Sequence, residues 1–235
     1  MKIPILYEDN HLLFVEKPIN VPVQEDSSRD PDLLTLLKAD LKIRYQKPGN
    51  VYLALVHRLD RPVGGAMVFG KTSKAASRLS DMIRRQVIER RYLAIVHGIP
   101  SKTKDQLLHY LYKDKAQNKV FVDTSNYSET KKAVLDYQVI ESKQGFSLLS
   151  IKLHTGRPHQ IRVQLSTVGH PIVGDQKYGN QKSKPGQQIA LWAHSLSLEH
   201  PVKREPLSVQ SLPPTRFPWD LWDLAALDLS CINRQ

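Results

Sequence analysis

The sequence predicts an α+β fold around a largely antiparallel sheet flanked by helices and loops. Segments with strand character outnumber helical ones, and the two kinds do not alternate regularly, so repeated βαβ units are not expected. Several strand segments also carry period-two alternation, the mark of a sheet with one covered face. No internal repeat and no convincing boundary interrupts the 235 residues, so the chain reads as one domain over 1–235.

Residues 11–16 are apolar and lead into Lys17-Pro18-Ile19-Asn20, a strand and then a turn. After a polar stretch, Asp30-Pro31 has the form of a helix cap followed by proline at the first helical position. Leu33, Leu36, Leu37 and Leu41 keep helical spacing to about Arg44, and 46–50 is a loop. The apolar run 51–56 reads as a buried strand that delivers Asp60 into a turn with Pro62, Gly64 and Gly65. Residues 65–70 form a second strand. Thr72 or Ser73 then caps a helix whose inner face is Ala75, Ala76, Leu79, Met82 and Ile83. Its outer face carries Lys74, Arg78 and Arg85, which suits phosphate contacts or simple solvation.

Residues 88–98 are a strand, unbroken in apolar character from Tyr92 to Val96, so both faces should be covered. Short strands near 107–112 and 120–122 surround a basic loop with Lys113, Lys115 and Lys119. Alternation resumes at 133–140, and again at Ser147, Leu149, Ile151 and Leu153. His154 to Leu165 is a strand end, a glycine turn and a helix opened near Pro158, with Ile161, Leu165 and Val168 as its buried stripe. His159 and Arg162, three apart, should share a face. A mobile loop over 181–188, a buried strand over 189–198 and a docked helix over 219–229 complete the reading.

The formal net charge of +11 suits a polyanionic partner, nucleic acid first and an anionic membrane surface second. No uncharged apolar run is long enough to span a bilayer, and the start of the chain lacks the apolar core of a signal peptide. Cys231 is the single cysteine, which excludes an intrachain disulfide and a Cys/His zinc knuckle. A cytoplasmic protein, monomeric because no heptad or long apolar patch is evident, is the simplest expectation.

There is no Walker A loop, no Gly-x-Gly-x-x-Gly after a strand and no Gly-x-Ser-x-Gly elbow, and the histidines lack metal-site spacing. What remains is Asp60 between Arg58 and Arg61, further arginines, the strand tyrosine Tyr92 and a basic surface. That set needs no cofactor and no metal. It suits acid/base or nucleophilic chemistry on part of a polyanion, because an adjacent arginine keeps a carboxylate ionised and directs it. On spacing alone, Asp60 is more often a turn-forming residue paired with its neighbour.

Four ordered blocks carry a resemblance. His57-Arg58-Leu59-Asp60 before a glycine turn resembles the catalytic motif of the RluA-type pseudouridine synthases. Residues 91–98 look like that family's tyrosine strand, 155–163 like its arginine motif, and 169–175 with Tyr178-Gly179 like the block that follows. Lys17-Pro18 in the opening is similar too, so the likeness runs from about residue 5 to about 215, with 216–235 as a tail. It implies the family's catalytic domain, without the small N-terminal S4-like RNA-binding domain of many relatives. It also implies isomerisation of selected uridines in structured RNA, rRNA or tRNA, such as a compact stem-loop.

Residue by residue, the resemblance makes Asp60 the essential acid, as nucleophile or as base toward the ribose. Tyr92 would contact the target base and assist proton removal at C5. Arg162 would pair with Asp60, and Arg58 would fill the stack vacated by the flipped uridine. Arg61, Lys74, Arg78, Arg85, Arg157 and His159 are the further RNA-binding candidates. The chain departs from the family's usual Thr-Ser-Gly at Val63-Gly64-Gly65 and from its frequent threonine at Pro158, which bears on efficiency more than on activity. Two rivals stand beside this reading. One is an RNA-binding module that does not turn over. The other is a hydrolase in which Asp60 is one of two acids, although no second acid has a similar setting.

Overall fold

The computed structural model describes residues 1–123, 129–179 and 183–229. Gln181 and Lys182 of the loop expected over 181–188, and Cys231, lie outside these. In chain order the elements begin with β1 (Ile5–Glu8), β2 (Leu12–Lys17), α1 (Leu33–Arg44), β3 (Ala54–Leu55), β4 (Gly64–Gly70) and α2 (Ser73–Arg84). They continue with β5 (Glu89–His97), β6 (Lys104–Asp114), β7 (Lys119–Val122), β8 (Lys131–Lys143) and β9 (Phe146–Leu153). The last are α3 (Gln160–Thr167), β10 (Leu191–Glu199) and β11 (Pro206–Gln210). The fold is α+β, as the sequence predicts. It comprises two compact units, Met1–Glu89 with Ala193–Ser211, and Arg90–Trp192 with Leu212–Gln235.

In the first unit the strand order is β1-β2-β4-β10, with β11 on β10. Its core gathers Leu12 and Phe14 of β2, Ala66 and Val68 of β4, Ala75 and Leu79 of α2, and Leu196 and Leu198 of β10. The helix lies very close to β4: a Cβ on Gly70 would sit 2.9 Å from Ala76 Cα. Thr72 caps α2 by accepting from Ala75 N at 3.2 Å.

Three details here depart from the sequence reading. Asp32, not Asp30, caps α1, accepting from Thr35 N at 3.0 Å, because Asp30 is drawn away to Arg61. The strand expected over 51–56 shrinks to the two residues of β3, which pair with Phe69 and Gly70. Strand β2 takes one whole edge of β4, and β10 shares the other, so nothing is left for the rest of the segment. Strand β11 forms in a stretch whose proline content predicts no strand; Pro206 occupies its first position, where a missing N–H is tolerated.

In the second unit the order is β5-β9-β8-β6-β7, every pairing antiparallel. Helix α3 covers one face, with Val163 and Tyr178 against Leu111, Val120 and Ala133. The helix begins at Gln160, two residues after the expected start at Pro158, and Val168 caps its C-terminus at 37% exposure instead of extending the buried stripe. The expected helix over 219–229 is a single 3-10 turn at Trp219–Leu221. Trp219, Trp222 and Leu229 are buried as anchors, but Asp223 accepts from Ala225 N at 3.2 Å and starts a turn in place of a helix.

Candidate active site

In the first unit, the segment that ends at Asp60 is fastened from three sides. His57 Nε2 accepts from Val68 N at 3.1 Å, which ties the approach to β4 and leaves the ring proton on Nδ1. Leu59 is buried, and Val63 N donates to Asp60 O at 2.9 Å, closing the turn. Beneath that turn lies Lys17, fully buried at the end of β2. Its Nζ donates to Pro18 O and Arg61 O at 2.9 Å and to Val63 O at 2.8 Å. Burial pushes the Lys17 ammonium down to about 7, while the charge of Asp60 opposes that shift. The carboxylate therefore sits half-buried on a turn whose carbonyls converge on one cation.

Glycine is required where the turn enters β4. Gly65 has φ +115°, and a Cβ there would fall 2.3 Å from Ala193 O. The two arginines around Asp60 have different surroundings. Arg58 is exposed. Arg61 is engaged by the preceding loop: Nε donates to Asn20 O at 3.2 Å, Nη1 to Ser28 Oγ at 3.0 Å, and Nη2 pairs with Asp30. Lys74 on α2 and Arg85 at its C-cap are exposed, whereas Arg78 reaches the 200–204 turn and donates to Pro201 O at 2.5 Å.

The second unit holds Tyr92, Arg162, Arg157 and His159. Tyr92 is 8% exposed on β5, paired in register with Ile151 of β9. Arg162 is buried on α3 and grips Asp175, its Nε and Nη2 donating to Oδ2 and Oδ1 at 2.8 Å each. Asp175 also accepts from Lys177 N and Tyr178 N at 2.9 and 3.0 Å. Burial alone would raise the Asp175 carboxyl; Arg162 and the two amides outweigh it and hold the carboxyl below the usual range.

His159 is not on the helix face with Arg162. It precedes α3 in a left-handed conformation, φ 52°. The two nonetheless meet on one ring. His159 Nδ1 is 2.8 Å from Tyr178 OH, and the Arg162 guanidinium carbon lies 5.2 Å from the Tyr178 ring centre. Tyr178 OH accepts from Val120 N at 2.8 Å, so its own proton is available for His159. Arg157 Nε donates to Lys132 O at 2.9 Å.

A buried amide ladder fixes this arrangement. Thr155 Oγ1 donates to Gln160 Oε1 at 2.8 Å, and Gln160 Nε2 donates to Val134 O at 3.1 Å and Gln164 Oε1 at 3.0 Å. Gln164 Nε2 reaches Leu107 O at 3.2 Å and Ala133 O at 3.3 Å. Helix α3 is thus bolted to β8 and β6 by polar groups, each satisfied by a named partner.

Lys17, Asp175, Gln160 and Gln164 are the members that sequence reasoning left without a role. Each had a signal: Lys17 and Asp175 lie in blocks already singled out, and the two glutamines are four apart on one buried helix face. Among the described residues, no group of three or more His, Cys, Asp or Glu could hold a metal ion. No helix there is long and apolar enough to cross a membrane.

Comparison with known proteins gives a consistent result. Residues 11–167 match the family model described as RNA pseudouridylate synthase. The RNA pseudouridine synthase YhcT of Bacillus subtilis is 33% identical over 95% of this chain and 71% of its own length. The RNA pseudouridine synthase ZMO0505 of Zymomonas mobilis is 30% identical over 91% of this chain and 94% of its own length. Ribosomal large subunit pseudouridine synthase C of Buchnera aphidicola subsp. Acyrthosiphon pisum is 35% identical over 74% of the chain, which spans 54% of that protein's length. In fold, the chain is similar to human RNA pseudouridylate synthase domain containing 4, with a TM-score of 0.75 and 23% identity over 90% of this chain and 88% of that one.

Proposed function

The chain belongs to the RNA pseudouridylate synthase family, and on that premise we propose how its own residues serve the isomerisation of uridine to pseudouridine in RNA. The reaction breaks the N1–C1′ bond of the nucleotide and forms a C5–C1′ bond. The hydrogen on C5 leaves to solvent, and N1 acquires one.

Asp60 is the essential acid, acting on the ribose as nucleophile or as base. Tyr92 contacts the base and assists proton removal at C5. Arg162 pairs with Asp60 and directs it. Arg58, exposed beside Asp60, fills the gap in the stack once the uridine is flipped out, a step that costs about a few kcal/mol. Lys74, Arg85, Arg157 and His159 contact the RNA. Arg61 and Arg78 contribute through the loop and turn that they hold. No cofactor or metal enters these steps.

The observation that carries the proposal is the seating of Asp60: a carboxylate held at a turn whose carbonyls are gathered by the buried Lys17. A solvated turn acid would need no such support. The RNA is a structured stem-loop. Ribosomal RNA comes first because a similar protein is named for the large ribosomal subunit, and tRNA second. The protein acts as a monomer in the cytoplasm. Incubation with unmodified rRNA and tRNA transcripts, followed by nucleoside mapping, tests this. Pseudouridine at a defined position of one transcript supports the proposal, and its absence from both pools opposes it.

A further inference from the structure

We propose that Arg90, together with the bare turn at Gly156, is a binding site for a phosphodiester of the RNA. The inference rests on the synthase reading above and adds a residue that none of the four sequence blocks includes.

Arg90 stands on β5 two residues before Tyr92, so the two side chains share a face of the strand about 7 Å apart. It is 9% exposed. A guanidinium buried to that degree normally has a carboxylate beside it, because an uncompensated buried cation is costly to folding. Among the described residues no acid pairs with Arg90. Among these residues its Nε has no hydrogen-bond partner, and the one hydrogen bond of its side chain is a long one, Nη2 to His154 O at 3.5 Å. Asp136, which the strand register places on the face of Arg91 and not of Arg90, is engaged elsewhere, accepting from Gln106 Nε2 at 2.8 Å and lying 2.6 Å from His154 Nε2.

Gly156 shapes the way in. A Cβ on this residue would lie 2.7 Å from Arg90 Nη1. Gly156 itself is exposed, so only a stretch of backbone without a side chain separates the guanidinium from solvent. The five N–H donors of an arginine form a fork that fits two phosphate oxygens at once. In a chain of net charge +11 whose family acts on RNA, the anion that fits this position is a backbone phosphate of the nucleotide under reaction or of its neighbour.

The test measures RNA binding in the Asp60→Asn background, where turnover cannot interfere. The probes are an unmodified tRNA transcript and a transcript of a large-subunit rRNA stem-loop, titrated over a salt series. Arg90→Met should weaken binding roughly tenfold at moderate salt and make the slope of log affinity against log salt shallower by about 0.7–0.9, the loss of one phosphate contact. Gly156→Ala, which keeps the charge and displaces the guanidinium, should weaken binding less. In the otherwise wild-type chain, Arg90→Met should raise KM more than it lowers kcat.

The melting temperature of Arg90→Met should be unchanged or higher, since the residue loses only the long contact to His154 O and sheds the cost of a buried cation. Inorganic phosphate at matched ionic strength should raise the melting temperature of the wild type and not that of Arg90→Met. An unchanged salt slope for both probes would overturn the proposal, as would a large fall in melting temperature with no change in slope. Stabilisation by inorganic phosphate alone, with RNA binding untouched, would show a free-phosphate site and also overturn it. Because the binding and melting measurements need no turnover, a failure of the synthase reading shows separately, as absence of pseudouridine formation by the wild type.

Discussion

Arg162 and Asp175 form a two-pronged ion pair in the interior of the second unit, both hydrogen bonds at 2.8 Å and both side chains almost without exposure. The same carboxylate takes two backbone amides from the 177–178 turn. Asp175 therefore sets the direction of the arginine that the catalytic proposal assigns to Asp60, and it does so through geometry only a guanidinium satisfies.

Replacing Asp175 with alanine should cost about 3–5 kcal/mol of stability, since it strands a buried cation. Arg162→Lys should fold better than Asp175→Ala yet lose most activity, because an ammonium cannot match both oxygens. The pH dependence has a definite sign. The Asp175 carboxyl titrates lower in the folded chain than in the unfolded one. Its contribution is therefore complete above the unfolded carboxylate pKa of about 3.9 and is lost as pH falls through the lower folded value. Urea titrations of wild type and Asp175→Asn should show a stability gap that is constant above about pH 5 and narrows in acid.

Lys17 should prove a stability residue first. Lys17→Met leaves the carbonyls of Pro18, Arg61 and Val63 without their shared donor. Each buried unsatisfied group costs about 1–3 kcal/mol, and methionine recovers part of this by packing. A net loss of about 2–4 kcal/mol by denaturant unfolding is the expected result. At temperatures well below the melting transition, activity should fall by no more than roughly tenfold, because Lys17 acts on the turn and does not touch the proposed substrate.

How much was legible in the sequence follows from these two residues. The chemistry-bearing blocks could be located because each joins a strand end to a glycine turn, which is a local signal. Asp175, which Arg162 grips, is thirteen residues on and across a turn, and two of the three carbonyls held by Lys17 come from a segment more than forty residues away. No spacing rule reports such contacts. The same limit explains why 51–56 has the pattern of a full strand, since edge competition from β10 is visible only in the sheet. The displacement of the α1 cap from Asp30 to Asp32 likewise depends on the distant Arg61. Gln160 and Gln164 read as polar helix residues, and only the packed structure shows them as bolts between α3 and two strands.

Gly65→Ala should be among the most damaging single-methyl changes in the chain. The added Cβ would meet Ala193 O at 2.3 Å, at a φ of +115° that L-residues avoid. Overpacking of about 1–3 kcal/mol and backbone strain of similar size should act together. Soluble yield and thermal unfolding of Gly65→Ala, set beside Gly145→Ala, separate the two contributions. Gly145 also has positive φ but nothing within 4 Å of its Cβ position, so it should lose only the strain.

Asp60 is the centre of the proposed chemistry. The decisive measurement is tritium release from RNA labelled at C5 of uridine, comparing wild type with Asp60→Asn, and with RNA binding measured for both. Release by wild type alone, with binding retained in the variant, is the predicted result. Salt-sensitive RNA binding by both proteins with no release from any RNA pool would contradict it and leave a non-catalytic RNA-binding protein on the same fold.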